Sequence, residues 1–404
     1  MKPIELMLYL IIIFLGAFLL FQVQPLIAKL ILPFFGGGAS IWTACLLFFQ
    51  AFLLMGYCYS HFLTKLDSLI KQVTIHSILL LSSLYFLPIN LAEVEIIIGV
   101  SSPMKGILIL LVMSVGLPYF MLATTAPLVQ RWLSYVEAHK LPYKLYSLSN
   151  IGSLFALLSY PLLIEPLLTN EQQSFFWSIT YFGFTMAFLL LSFLMIKQKD
   201  LSLVVQRKIN IIGSAGKMEQ ALWLLLSAVG VLLLVSTTNA MTQNIPPVPF
   251  LWIIPLCIYL LTFIISFHSP HWYVRWYWFV LFVIASFVAI LLFFIGSQFD
   301  IITQLALYSF VLLSSCMICH GELARLKPEV EKLTLFYLYI SIGGFLGSLF
   351  IAFVAQNIFS QFYEFPMAIF LVYILFIISI LLNKKKWRNK TNETKLKIQR
   401  VRAC

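Results

Sequence analysis

The chain has 404 residues, 61% hydrophobic and only 10% charged, with a net charge of +11. A soluble globular domain would have too little polar surface at this composition, and apolar runs that are continuous rather than alternating exclude a strand-built barrel. What remains is a polytopic helical membrane protein.

A hydrocarbon core about 30 Å thick takes roughly 20 apolar residues per helix. Such runs are predicted over 5–24, 41–60, 73–90, 104–124, 148–168, 176–196, 221–240, 250–267, 276–296, 301–319, 334–355 and 366–383. The first is longer than a signal-peptide core and no small-residue cleavage site follows it, so it counts as a span. Six runs precede and six follow the polar seam Lys197–Gln220, KQKDLSLVVQRKINIIGSAGKMEQ. The domains expected are a six-helix half over 1–196, a basic linker over 197–220, a six-helix half over 221–383 and a basic tail over 384–404. That is the layout of a major-facilitator-type transporter, so the expected fold is all-α, with about 12 transmembrane helices as two MFS-like six-helix repeats. With both termini in the cytoplasm, every Lys and Arg except Lys29 and Lys105 lies on the inner side, as the positive-inside rule requires. The net charge then belongs to inner loops and a tail facing anionic membrane lipid, and nucleic acid is not an expected partner.

In chain order, the first hairpin carries Gln22, Gln24 and Lys29 at a helix end entering lipid, where they are costly unless they face protein or water. Pro25 and Pro33 interrupt the helix, and Gly36-Gly37-Gly38 permits a tight turn. This is either an outer turn with a snorkelling lysine or a ligand-facing rim. Gln50, in mid-span, should face the bundle. Pro118 and Pro127 bend or end the fourth helix, with Thr124 and Thr125 placed to satisfy the freed carbonyls, and Gln130, Arg131 and Trp132 enter an inner loop. The fifth helix has small residues at Ser149, Gly152, Ser153, Ala156 and Ser159, with Asn150 pointing a polar group into that packing. Glu165 is an acid well inside a span and needs a partner; Lys29, at similar depth, is the natural one, the alternative being a carboxylate wetted at the interface. In the second half, Asn239 and Gln243 mirror the polar end of the first helix. The run Leu145–Gly152 echoes Tyr337–Gly344, each opening the fifth helix of its half.

Cys316-Met-Ile-Cys319-His320 matches a haem-attachment pattern but falls at the inner end of its helix, the wrong side for that chemistry. Cys316, Cys319 and His320 share one helical face and form a weak alternative metal site. The preferred reading makes His320, Glu322 and Arg325 a polar cluster closing the inner face, Glu322 and Arg325 being one turn apart. No nucleotide fingerprint, serine elbow or zinc-protease pair occurs, so neither a cofactor nor a soluble catalytic module is expected.

FQVQPLIAKLILPFFGGGASIWTACLLFFQAFLLMGY, LPYFMLATTAPLVQRW, YSLSNIGSLFALLSYPLLIEP, TTNAMTQNIPPVPFLWIIPLCIYLLTF and CHGELARLKP together resemble the membrane half of bacterial fused MFS/spermidine-synthase-like proteins, from about Phe21 to Phe359. The resemblance implies a bacterial inner membrane and a soluble aminopropyltransferase-like domain after the helices. The chain stops about 20 residues beyond its last predicted span, so synthase chemistry is not carried over. A separate synthase-like partner becomes the alternative to a carrier. The loop after the second helix also lacks the glycine-and-aspartate signature of ordinary facilitators. The expectation is a transporter-like protein moving a small polar solute by alternating access; a membrane scaffold or a membrane-embedded enzyme are the other classes. Gln22, Gln24, Thr124, Thr125, Asn239 and Gln243 would contact solute, and Lys29, Gln50, Arg131, Asn150, Glu165, His320, Glu322 and Arg325 would gate or support.

Overall fold

The structure, a computed structural model, describes residues 3–35, 39–89, 103–136, 141–197, 216–242, 251–329, 332–359 and 363–403. Its helices are α1 (Pro3–Phe35), α2 (Ala39–Leu63), α3 (Leu69–Ser83), α4 (Pro103–Leu111 continuing through Leu117–Val136), α5 (Leu141–Ser159, ending in Glu165–Leu167) and α6 (Asn170–Lys197). The second set is α7 (Lys217–Thr242), α8 (Ile253–His268), α9 (Arg275–Ile295), α10 (Ile301–Arg325), α11 (Leu333–Leu349, ending in Gln356–Ile358) and α12 (Glu364–Ala403). Eleven have the length and apolarity to cross a membrane, and α8 is a shorter apolar helix. All twelve predicted spans therefore correspond to helices, and no strand occurs among the described residues.

Proline shapes these helices less abruptly than expected. Pro25 and Pro33 lie inside α1, which runs unbroken to Phe35. Membrane helices tolerate proline where neighbouring groups take up the freed carbonyls. The hairpin turn Gly36–Gly38 lies outside the described residues. In α4 a π-turn, Val112–Gly116, immediately precedes Leu117-Pro118. Another, Tyr160–Ile164 in α5, contains Pro161. Proline has no N–H for an i→i−4 bond, and widening the turn to i→i+5 accommodates the gap. A third π-turn, Phe350–Ala355, sits in α11 without proline.

Helix contacts repeat after six helices. α1 packs on α4, α5 and α6 as α7 packs on α10, α11 and α12, and α2–α4 corresponds to α8–α10. Between the repeats, α2 meets α11 and α5 meets α8. Lipid gives no hydrophobic drive between helices, so close backbone approach through small residues carries the packing. A Cβ on Gly152 of α5 would stand 2.6 Å from the Phe14 carbonyl oxygen of α1. On α11, Gly343 and Gly347 lie against the carbonyls of Leu224 and Ala228 of α7. The structural equivalents are thus Gly152 and Gly343, one residue out of the register in which the sequence echo pairs Gly152 with Gly344. The same shift pairs Tyr146 with Tyr337, whose rings stack 5.0 Å apart across the two halves.

Candidate functional site

With twelve spans, both termini fall on one side of the bundle, here called the termini side. Toward that side the halves are fastened by polar and aromatic contacts. The Tyr337 hydroxyl of α11 donates to Gln130 Oε1 of α4 at 2.7 Å, and His61 Nδ1 of α2 lies 3.1 Å from Thr334 Oγ1 of α11. Tyr146 of α5 stacks on Tyr337 and meets Phe263 and Phe267 of α8 edge-on. Gln130, Arg131 and Trp132, expected in a loop, are buried residues of α4. Their helix extends to Val136 because Leu133 and Tyr135 continue its buried face. The guanidinium of Arg131 lies over the Tyr135 ring, 5.0 Å from its centroid.

Nearer mid-membrane, Tyr57 of α2 lies within electrostatic range of Tyr119, Tyr146 and Tyr259. Tyr57 and Tyr259 stand on opposite halves, each partly buried, and the Tyr57 ring also lies 6.3 Å from that of Tyr337 across the seam between the halves. Gln50 of α2 is half-buried and faces α11, its Oε1 3.4 Å from where a Cβ on Gly344 would stand. Behind Tyr259, the buried His320 ring stacks on Phe263 at 3.7 Å and meets Tyr259 edge-on. Thr262 Oγ1 donates to the Tyr259 carbonyl and lies 2.8 Å from His320 Nδ1. Its one proton being committed, it accepts from Nδ1–H, which leaves Nε2 with its lone pair. That nitrogen has no hydrogen-bond partner among the described residues.

Several expected solute contacts are instead engaged within the first half. Gln24 Nε2 donates to the Tyr119 hydroxyl at 3.3 Å and to the Leu20 carbonyl. Thr124 and Thr125 both donate to the Met121 carbonyl of their own helix. Contrary to expectation they do not serve the carbonyls around Pro127; there Ser60 of α2 donates to the Thr124 carbonyl. Asn150 donates to the Tyr146 carbonyl one turn back. Gln22 and Asn239 are half-buried, and Gln243 lies outside the described residues.

The expected ion pair between Lys29 and Glu165 is present. Lys29 Nζ donates to Glu165 Oε1 at 2.9 Å, on the side opposite the termini, with each side chain about a third exposed (29% and 31%). Exposed pairs contribute little, so Lys29→Met should change stability by less than about 1 kcal/mol. A double-mutant cycle with Glu165→Gln in thermal unfolding measures that coupling.

The pairing expected between Glu322 and Arg325 does not occur. Arg325 is exposed in the last turn of α10, whereas Glu322 is fully buried and receives four hydrogen bonds. Arg275 Nε and Nη2 bind its two oxygens at 2.7 and 2.5 Å, Tyr273 Oη donates at 2.9 Å and Ser379 Oγ at 2.5 Å. Burial and the adjacent Glu322 push the Tyr273 phenol up, so it remains a donor. The planar guanidinium fork explains the choice: Arg275, opening α9, meets the carboxylate edge-on in two parallel bonds. Reading α10 alone could not reveal a partner some fifty residues upstream. The signal available was an arginine at the start of a span beside a tyrosine. The weak metal alternative also fails. Among the described residues no three His, Cys, Asp or Glu side chains converge as ligands, and His320 is turned toward Thr262 and Phe263.

The fold these helices form is that of the major facilitator proteins. Solved structures sharing it include the proton:xylose symporter XylE bound to 6-bromo-6-deoxy-D-glucose, with a TM-score of 0.58, 11% identity and 96% of each chain covered. A bacterial homologue of the iron transporter ferroportin in an outward-facing state matches with a TM-score of 0.57 and 16% identity over 93% of this chain and 99% of that one. The inward-open xylose transporter XylE from E. coli matches with a TM-score of 0.54 and 13% identity, over 93% and 95%. Neither a family model nor a curated protein sequence matches the chain. The likeness is therefore one of fold: this is a polytopic helical membrane protein built as two six-helix repeats of the major facilitator type.

Proposed function

We propose that the protein is a transporter that moves a small polar solute by alternating access. Halves 1–196 and 221–383 would rock about the seam between them, where Tyr57 and Tyr259 stand. The linker 197–220, the tail 384–404 and both termini would face the cytoplasm of a bacterium, as the distribution of Lys and Arg suggests. One observation carries this reading: the halves are fastened toward the termini side by contacts that can part without unfolding either repeat. These are the Tyr337–Gln130 hydrogen bond, the Tyr146–Tyr337 stack and the His61–Thr334 contact. Toward the other side, α5 and α8 meet through apolar side chains such as Leu157, Ile253 and Leu260. Structural neighbours described as xylose and iron transporters support the transport class and leave the solute open.

In this scheme Gln130 and Tyr337 form the inner gate. Glu322 does not, because Arg275, Tyr273 and Ser379 all belong to its own half; the cluster holds that half rigid while it moves. Lys29 and Glu165 brace the rim of the other half. Spin labels at the exposed positions Phe62 and Met218 report the termini side, and labels at Leu167 and Ile302 the opposite side. Gln130→Ala removes the inner hydrogen bond and should widen the first pair while narrowing the second. Distances that stay fixed in wild type and variant alike would sink the alternating-access reading.

A further inference from the structure

The middle of every helix that can face the seam between the halves is free of formal charge. No Asp, Glu, Lys or Arg occurs in α1 between Glu5 and Lys29, in α4 between Lys105 and Arg131, in α7 between Glu219 and Thr242, or in α10 between Asp300 and Glu322. The four helices that join the halves follow the same rule: α2, α8 and α11 contain none, and α5 has none between Lys144 and Glu165. Residues 36–43, 242–250 and 360–362 are equally uncharged in sequence. Of the charges at the ends of these stretches, Lys29 pairs with Glu165, Glu322 with Arg275, and Arg131 lies over the Tyr135 ring.

What stands at that seam is aromatic and neutral-polar. Tyr57 and Tyr259 stand there from opposite halves, Gln50 adds an amide beside Gly344, and His320 lies behind Tyr259 with an unpaired Nε2. An ionic solute crossing here would shed its hydration with no counter-charge to replace it. A solute with hydroxyl groups and C–H faces meets phenols, an amide and flat rings on which those faces can lie.

We infer that the site takes an uncharged, hydroxyl-rich solute of sugar or polyol type, and excludes polyamines, carboxylates and metal cations. This rests on the transporter reading and deepens it. The test uses probes matched in skeleton and different in charge: D-glucose, D-glucosamine and D-gluconate, with sorbitol and spermidine beside them, each added to the purified full-length protein in a thermal-shift titration. The expected result is stabilisation by D-glucose or sorbitol at concentrations at least tenfold below any effect of the charged probes. That stabilisation should be lost in Tyr57→Phe/Tyr259→Phe, whose midpoint without probe is read as the folding control. Stabilisation by D-glucosamine, D-gluconate or spermidine at equal or lower concentration overturns the inference, and so does the absence of any shift with both neutral probes. The spin-label distances report alternating access without any probe, so failure of the solute class and failure of the transporter reading are separable.

Discussion

Replacing Glu322 with alanine is expected to destabilise the protein by about 3–5 kcal/mol, the range for breaking a buried ion pair by removing one partner. Arg275 would be left as a largely buried cation, and Tyr273 and Ser379 would lose their acceptor. The loss should appear in denaturant or thermal unfolding as loosening of the second half, where α9, α10 and α12 meet. Glu322→Gln keeps the shape and an acceptor oxygen but not the charge, so it should be damaged to an intermediate degree. Joining Glu322→Leu to Arg275→Met removes both charges and should recover much of the loss, because desolvating a pair offsets most of what the pair returns. Arg325→Ala is the control. If that variant is as unstable as Glu322→Ala, the partner assignment is wrong.

The second large effect belongs to the close-approach glycines. Gly152→Ala and Gly343→Ala each set a methyl against a carbonyl of the neighbouring helix, Phe14 in one repeat and Leu224 in the other. Backbone cannot swing aside as a flexible side chain does, so α1–α5 or α7–α11 must separate. Overpacking of this kind costs about 1–3 kcal/mol. Because each pair sits inside a half, the damage should show as a lower midpoint and a poorer folded yield. Gly183→Ala on α6 has nothing within 4 Å of the added methyl and should stay within about 1 kcal/mol of wild type. Equal loss in all three variants would indicate a general intolerance of alanine rather than helix contact.

The helices and their pairing into repeats were legible in sequence because length and apolarity alone specify a membrane span. Lys29 and Glu165 could be matched because two opposite charges at one depth in lipid have few other choices. Glu322 could not. Local spacing favoured Arg325, and nothing in α10 announces that the start of α9 folds back against it. Gln130 and Tyr337 were hidden for a related reason: a glutamine near a helix end reads as a loop boundary until its acceptor is seen to meet a tyrosine from the other half. Thr124 and Thr125 misled in the opposite way, since a hydroxyl on a membrane helix is satisfied by its own backbone as readily as by a ligand.

The π-turns at Tyr160–Ile164 and Phe350–Ala355 stand at the same place in each repeat. A π-turn is an α-helix holding one surplus residue. These two sites are therefore where the ruler of each helix can be shortened by one without rotating what lies beyond. A single-residue deletion in Phe350–Ala355, where no proline enforces the wide turn, relaxes the helix to ordinary pitch and keeps the packed faces on both sides. The same deletion two turns earlier, among Gly343 and Gly347, swings the rest of α11 by about 100° and presents bulk where the chain needs none. Deletion tolerance along this helix is thus expected to be confined to one turn.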